Sequence, residues 1–562
     1  MIAIALLLGI AAPIALITPA APTTSAAPGP AGSAVQTAQS APAVASQSGE
    51  RTGWTALQVP GICVEAPPAP YLARLVRGHH LLLPGDTLER ESPAPRPTVP
   101  LRSVIDWLQE ESRRTQSDLR VLSGGPPLLV RGSPIALSEA GARLADLERA
   151  SQALQVELRV WLTPSLATTT HPARPEFETA TRANAPWGER RVVSGEVAVF
   201  GSRESAGFLG AWAGEVASSS GVAEPKLVRA LSGRTLHLYA ARADGGTRVR
   251  LNGWLDLAEP GAMTVFDAGT PDLGVIQQPS VHAVQVAFGG SVASGGVLAV
   301  ALDGAPFAQE QCTLWIEART TVDPTEGPWR AFDTAWLEAP DFALPPVVPG
   351  AGLDEVGADE ASTAGVLEPL TASTLAQVFE EARARGAARS VASVLWAPGF
   401  LCVPRSEAQA TVELEALIQA ASKDREREAE LVLKHGKLRA LVPAVSGATV
   451  RLLVANERTV MNGYSIQIAT ETWMPTPSVE RVIDGGWVQG RWIGERLELA
   501  GWSASSQVTA QLSREEARLG RMQLVTRGFR TERGSIDRAH PRVELFPSEG
   551  ALQGLTIELV QR

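Results

Sequence analysis

The second half of this sequence repeats the first half in the same order. The stretch PLRSVIDWLQEESRR at 100–114 aligns with TASTLAQVFEEARAR at 371–385. Further on, GTRVRLNGWLDL at 246–257 aligns without a gap with GERLELAGWSAS at 494–505. Matches that keep their order over such distances predict a tandem duplication, so one fold has to serve twice.

Two further observations set the extent of the repeat. VQVAFGGSVASGGVLAVAL at 284–302 aligns without a gap with RVELFPSEGALQGLTIELV at 542–560. Within the earlier match, the pair Gly253-Trp254 meets the pair Gly501-Trp502, and we take these four residues as structural markers of the repeat. The repeat predicts the following segments: 1–21 signal peptide or anchor, 22–50 Ala/Pro/Ser-rich linker, 51–97 N-terminal extension, 98–318 copy one, 319–368 linker with an acidic Pro/Gly-rich part, and 369–562 copy two.

The first fifty residues indicate export. Residues 2–17 are apolar, and 23–48 form an uncharged tract of Ala, Pro, Ser, Thr and Gln without periodicity. An apolar core followed by such a tract is typical of an export signal and a linker. No later stretch carries the roughly 18 apolar residues that a spanning helix needs. We therefore expect a protein of the periplasm, the cell envelope or the medium, with no membrane span beyond the N-terminal segment.

Each copy reads as a small helix-and-strand front half followed by a β-rich back half, an α+β fold. In copy one, apolar spacing predicts helices at 99–114 and 138–154. Strands are expected at 119–123, 128–131 and 155–162. The back half shows short alternating runs, as at 247–255, and hairpin-like turns. Copy two shows the same sequence of patterns.

The sequence lacks the common signatures of catalysis. It has no nucleophile elbow, phosphate-binding loop, HExxH motif or dinucleotide-binding glycine pattern. Its net charge of −10 gives no nucleic-acid footprint. The three cysteines, Cys63, Cys312 and Cys402, are too sparse for a disulfide framework or a zinc site, and buried thiols are favoured over a bridge from Cys63 to either of the others. We expect a non-enzymatic protein with no cofactor and no metal.

The tryptophans offer one candidate contact surface. The chain has 14 tryptophans against 3 tyrosines. Burial is the default for so large an apolar ring. Trp487 and Trp492, close together in GGWVQGRW, are the pair that we expect to be exposed on a β face as a partner surface.

Two segments resemble the secretin domain of bacterial outer-membrane secretion pores. In the stretch 374–414, five residues fill the places of that family's pattern of a helix, a paired strand and a polar pair: Val394, Leu395, Pro398, Val403 and Ala408. The stretch 477–502 is similar to a later part of the pattern, and copy one shows both more weakly. The resemblance implies a component of secretion or pilus-type assembly, acting through protein partners in the envelope and self-association. The alternative is an extracytoplasmic module that binds a peptide or glycan in a cleft between the copies.

The last strand, LTIELV at 555–560, is expected to present an open edge. Open strand edges pair with other strands unless they are blocked. The edge would pair with a partner or another subunit, with Thr556 and Glu558 pointing outward. Burial of the same edge against copy one is the equal alternative.

Overall fold

A computed structural model gives the fold of the 562-residue chain. It describes residues 53–58, 63–64, 80–84, 99–122, 127–153, 155–304 with gaps at 217, 244–245 and 268–274, 311–320, 329–333, 395–397, 400–404, 412, 416, and 428–560 with gaps at 447, 449, 469–472, 494, 515–518 and 548–551. The chain divides into two units, Met1–Arg51 and Thr52–Arg562, and every described residue belongs to the second. The expected signal at 1–21, the linker at 22–50, all of the second linker except 319–320 and 329–333, and the first helix of copy two lie outside the described residues.

The first half begins with a small unit of short strands and two helices. Its elements are β1 (Gly53–Leu57), β2 (Cys63–Val64), β3 (Leu81–Leu82), β4 (Val99–Pro100), α1 (Leu101–Arg114), β5 (Arg120–Val121), β6 (Leu128–Gly132) and α2 (Pro134–Ala153). An antiparallel sheet of order β1-β6-β5 packs against both helices. β2 pairs in parallel with β4.

The predicted apolar stripe of α1 is buried. Leu101, Val104 and Leu108 are at most 2% exposed, and each contributes about 1.5–3 kcal/mol by leaving water. Ser133 caps α2, because its hydroxyl accepts a hydrogen bond from the Ala136 amide at 3.3 Å. Both predicted helices of copy one are therefore confirmed, with α2 beginning four residues earlier than expected.

The rest of the first half is mainly β. It consists of β7 (Gln155–Thr163), α3 (Arg174–Thr181), β8 (Gly188–Val193), β9 (Glu196–Val216), β10 (Gly221–Ala243), β11 (Arg248–Pro260), β12 (Thr264–Asp267), β13 (Val275–Gln278), β14 (Ser280–Ala293), β15 (Gly296–Asp303) and β16 (Gln311–Thr320). Among the described residues, every helix is too short or too polar to cross a lipid bilayer.

Most described residues of the second half lie in strands, while Val412 and Ala416 are helical. The strands are β17 (Trp329–Asp333), β18 (Leu395–Ala397), β19 (Phe400–Pro404), β20 (Glu428–His435), β21 (Leu438–Val445), β22 (Val450–Ile468), β23 (Trp473–Ile493), β24 (Arg496–Arg514), β25 (Leu519–Ile536), β26 (Arg542–Leu545) and β27 (Leu555–Val560). The fold is thus mostly β, with several antiparallel sheets. The expectation of short runs is wrong for six strands, which form three hairpins of 18 to 23 residues per strand: β9–β10, β22–β23 and β24–β25.

The strands pair by the same rule in both halves. In the large sheet, the order β9-β10-β11-β14 is followed by β22-β23-β24-β25. In the eight-stranded sheet, the order β8-β7-β16-β15 is followed by β21-β20-β27-β26. We call β7–β11 with β14–β16 the first module and β20–β27 the second module. The small sheets ahead of the modules, β1-β6-β5 and β17-β19-β18, also share one order.

The two sheets stack on one continuous core. Alternate residues of the long strands point into it, among them Leu251, Leu255, Val286 and Leu452. Gly253 lies directly opposite Phe288, and a Cβ at Gly253 would meet that ring at 2.1 Å. Stacked sheets with interdigitated inner faces bury most of their apolar area in this layer.

The pairing corrects one part of the sequence match. Residues 284–302 were aligned with 542–560, which sets β14 against β26. Yet β14 follows β11 in the order of the large sheet. The counterpart of β11 is β24, and the strand that follows β24 is β25. The alignment is therefore wrong by one strand. Phe546, which follows β26, nevertheless packs on Gly501 as Phe288 packs on Gly253.

We expect Gly253→Ala to destabilise the fold by about 1–3 kcal/mol, because the added methyl group overpacks the space held by the Phe288 ring. Gly501→Ala should behave similarly against Phe546. Gly463→Ala is the matched control, since its Cβ would meet nothing within 4 Å. Urea unfolding measures the free energies. Equal stability of Gly253→Ala and Gly463→Ala would contradict this packing.

Candidate assembly interface

The Gly-Trp markers occupy corresponding places in the two modules. Gly253 and Gly501 point into the core between the sheets, each against a phenylalanine ring. Trp254 and Trp502 lie on the opposite face of the large sheet and are 2% and 6% exposed. Each tryptophan lies opposite a residue of the preceding strand, His237 or Trp487.

The expected exposure of Trp487 and Trp492 is wrong. Trp487 is 2% exposed, and it packs with Trp502 under the guanidinium of Arg451, 5.3 Å from the ring centroid. Trp492 packs against the core between the sheets. Neighbours on the two flanking strands, Arg451 of β22 and Trp502 of β24, cover Trp487 on its face of the sheet, and Trp492 points to the core, so neither tryptophan presents an open β face.

One cysteine is settled by the structure. Cys312 is a buried free thiol on β16, and burial raises its pKa to about 11. The predicted buried thiol is confirmed there, and Cys312 forms no bridge with Cys63. In the part of the chain that the structure describes, no group of three or more His, Cys, Asp or Glu side chains could hold a metal ion.

The two modules are joined strand to strand in both sheets. β14 pairs antiparallel with β22 from Ser280↔Arg458 to Ala287↔Arg451. β15 pairs antiparallel with β21 through Ala301↔Leu441, Leu302↔Ala440 and Asp303↔Arg439. The core passes through this junction, since the residues on both sides of it belong to one cluster.

A buried group of charges crosses the junction on the outer face of the large sheet. We call His80, Asp256, Glu457 and Arg203 the junction charge cluster. His80 Nε2 lies 3.0 Å from Asp256 Oδ1 in the first module, and its Nδ1 lies 3.2 Å from Glu457 Oε1 in the second. Arg203 forms an ion pair with the other oxygen of Asp256. His80, Asp256 and Glu457 are each at most 3% exposed.

Backbone hydrogen bonds attach the segment 80–82 to both modules. The amides of His80 and Leu81 each donate to Glu457 Oε2 at 3.0 Å. Arg481, on β23, donates from Nε to the Leu81 carbonyl at 2.8 Å. β3 pairs with β10 of the first module through Ala230↔Leu81. The segment therefore ties β10 and β11 to β22 and β23.

His80 and Asp256 are both charged at neutral pH. Burial by itself would lower the pKa of His80, but Asp256 and Glu457 outweigh burial and raise it to about 10. Burial would raise the pKa of Asp256, but His80 and Arg203 lower it to about 2. An imidazolium between two carboxylates is the arrangement that makes such burial tolerable. Sequence reasoning missed this site, because its residues are 53 to 377 positions apart.

In both sheets, the strand at one end belongs to the first module and the strand at the other end belongs to the second. At one end are β8 and β9, which are consecutive in the first module. At the other end are β25 and β26, which are consecutive in the second. The expected edge at β27 is wrong, because β27 pairs with β26 on one side and β20 on the other. Glu558 pairs with Lys434 within the sheet and marks no edge.

Comparison with solved structures found a similarity to a secretin domain. No family model matches the chain, and no curated protein matches it. The chain is similar to the InvG secretin domain beta-barrel from the Salmonella SPI-1 injectisome NC-base. The match has 12% identity and a TM-score of 0.19, and it covers 37% of this chain and 74% of that one. At that TM-score the two chains are not shown to share a fold.

We expect His80→Gln to cost about 3–5 kcal/mol of stability, because it leaves two buried carboxylates without their cation. The folded pKa of about 10 lies above the ordinary value of 6.5. The protonated ring therefore stabilises the fold fully below about pH 6.5, and this contribution is lost as pH rises through about 10. Chemical unfolding from pH 6 to 10 should show the difference between wild type and variant shrinking.

His540→Gln is the control for this experiment. The side chain of His540 is 82% exposed, so its replacement should change stability by less than about 0.5 kcal/mol at every pH. A His80→Gln protein that is as stable as the control at pH 6.5 would show that the cluster does not hold the junction.

Proposed function

We propose that this chain is an exported, non-enzymatic protein of the cell envelope that works by adding strands to strands, as a secretin-like component of secretion or pilus-type assembly. One observation carries the proposal. Two stacked sheets, extended by a second module of the same pairing, end together in the terminal strands β8 and β9 on one side and β25 and β26 on the other.

Terminal strands of this length are a means of protein contact. β9 has 21 residues and β25 has 18. The edge of a sheet presents backbone donors and acceptors to any strand that approaches, and natural monomers shorten or block such edges. Addition of a strand to an edge is also a recurrent mode of recognition. Long terminal strands in both modules therefore favour a protein that assembles.

The shared pairing also supports the tandem duplication. Eight strands pair in one order in the first module and in the same order in the second. The common order of the sheets at β1 and β17 supports a start of each copy ahead of residues 98 and 369, in segments first assigned to an extension and a linker. In this proposal each copy includes its own small three-stranded sheet.

The described residues favour assembly over an enzyme and over a peptide- or glycan-binding module. His80, whose pKa is raised to about 10, is closed to solvent together with its partners Asp256 and Glu457, and is therefore out of reach of a substrate. A cleft between the modules would be the binding site of a peptide- or glycan-binding protein. Between the described parts of the modules, paired strands occupy the junction in both sheets instead.

Cell fractionation and light scattering test the proposal together. We expect the protein in the envelope fraction, pelleting with peptidoglycan, and particles of several chains in solution after mild extraction. The export signal predicted at 1–21 should be absent from the N-terminal sequence of a secreted form.

Three outcomes would contradict the proposal. A cytoplasmic protein would remove the envelope assignment. A soluble monomer at micromolar concentration that binds members of a glycan array would favour the binding module instead. A broad hydrolase panel with one active substrate, and loss of that activity on a single substitution, would overturn the non-enzymatic assignment.

A further inference from the structure

The junction between the modules joins two different edges. The first module contributes its last strand of the large sheet, β14, and the following strand, β15. The second module contributes β21, at the end of its part of the eight-stranded sheet, and β22, at the end of its part of the large sheet. By the shared pairing order, β14 and β15 correspond to β25 and β26, while β21 and β22 correspond to β8 and β9. The junction is therefore head to tail.

We propose that a second copy of this chain binds by the same junction, with β25 and β26 of one chain against β9 and β8 of the next. This inference deepens the proposed function and names the partner of its terminal strands. The four strands that end the sheet orders are the counterparts of the four that meet in the middle. The interface between chains thus continues an interface that the chain already contains.

The internal junction fixes the register on the β25 side. His282 pairs with Glu259, and Thr526 pairs with Gln507. Glu259 and Gln507 each lie five residues after the tryptophan of the Gly-Trp pair in their modules. Thr526 is therefore the counterpart of His282.

The internal junction also fixes the register on the β9 side. Ser202 pairs with Arg234, and Asn456 pairs with Asp484. Arg234 and Asp484 each lie three residues before the residue that faces the tryptophan of the Gly-Trp pair. Ser202 is the counterpart of Asn456. Since His282 pairs with Asn456, Thr526 of one chain should lie opposite Ser202 of the next. Both residues are exposed in the single chain.

The charges near this register allow β25 of one chain to lie beside β9 of the next. Arg527 and Arg203 would be diagonal neighbours across the new pair of strands, where unpaired like charges repel. Each already has a carboxylate partner in its own chain, Glu480 for Arg527 and Asp256 for Arg203. Part of the positive charge of the Arg-rich strand β25 is therefore neutralised within its own chain.

The junction between chains differs from the internal one in a defined way. The counterpart of Asp256 is Ala504, two residues after Trp502, and the counterpart of Glu457 is Arg203, one residue after Ser202. Neither carboxylate of the junction charge cluster is present at these positions. The junction between chains should therefore open at lower denaturant concentration than the one within the chain. A head-to-tail interface repeats until it closes as a ring or extends as a filament.

Cysteine cross-linking tests the proposal on the full chain. Two proteins of different mass are prepared, one with Ser202→Cys and one with Thr526→Cys, and oxidised separately and as a mixture. We expect a cross-linked dimer containing one chain of each kind in the mixture, and no more than wild-type cross-linking in either protein alone. The double variant should give a ladder of multimers that dithiothreitol reverses.

Ser535→Cys mixed with Ser202→Cys is the matched control. Ser535 is exposed on the same strand, nine residues or about 30 Å beyond Thr526, so this mixture should not cross-link. Cross-linking of the control mixture to the same extent, or of either single variant alone, would overturn the head-to-tail register. Large particles by light scattering without the 202–526 link would overturn this inference and leave the proposed function standing. A strict monomer would overturn both.

Discussion

Backbone pairing across the junction of the two modules is the interaction on which the rest of the structure depends. Eight residue pairs between β14 and β22 and three between β15 and β21 turn two modules into two continuous sheets. Without these pairs, each module would have a further open edge, and its apolar inner face would be exposed to solvent there. With them, one hydrophobic core runs from Val156 in the first module to Leu559 in the second.

The junction charge cluster locks this pairing in one arrangement. Burying charged groups costs several kcal/mol per ion, and paired charges return that cost only with good geometry and further hydrogen bonds. His80 meets the requirement with one carboxylate from each module, and the amides of His80 and Leu81 supply two more donors to Glu457. Misplaced pairing of β14 on β22 would separate these partners. We therefore attribute to the cluster a role in register.

Part of this architecture could be predicted from the sequence. The apolar stripe of 101–108 and the alternation of 155–162 are local patterns, and both formed the expected elements. The Gly-Trp pairs were found because a glycine under an aromatic ring is a packing requirement that both modules share. The long strands were missed because their outer parts are rich in Gly, Ser and charged residues, which hide the alternation. β9, for example, runs through GSRESAGF without a break.

Other features could not be predicted, because they depend on neighbours distant in sequence. Trp487 is buried by side chains of the two flanking strands, which no local pattern reveals. LTIELV is an interior strand, because β26 comes back to cover it. The tail of the repeat was aligned one strand out, because Phe288 on β14 and Phe546 after β26 fill similar spaces. The His80 contacts join segments that only the completed fold brings together.

Electron cryomicroscopy of the extracted particle, combined with its mass, tests the central claim most directly. If the junction of β14 and β22 repeats between chains, an assembled particle contains continuous sheets in which the number of modules is twice the number of chains. Every second junction should then lack density for an imidazole between two strands. A particle whose chains meet through other surfaces, or whose sheets stop at β9 and β25, would contradict the account.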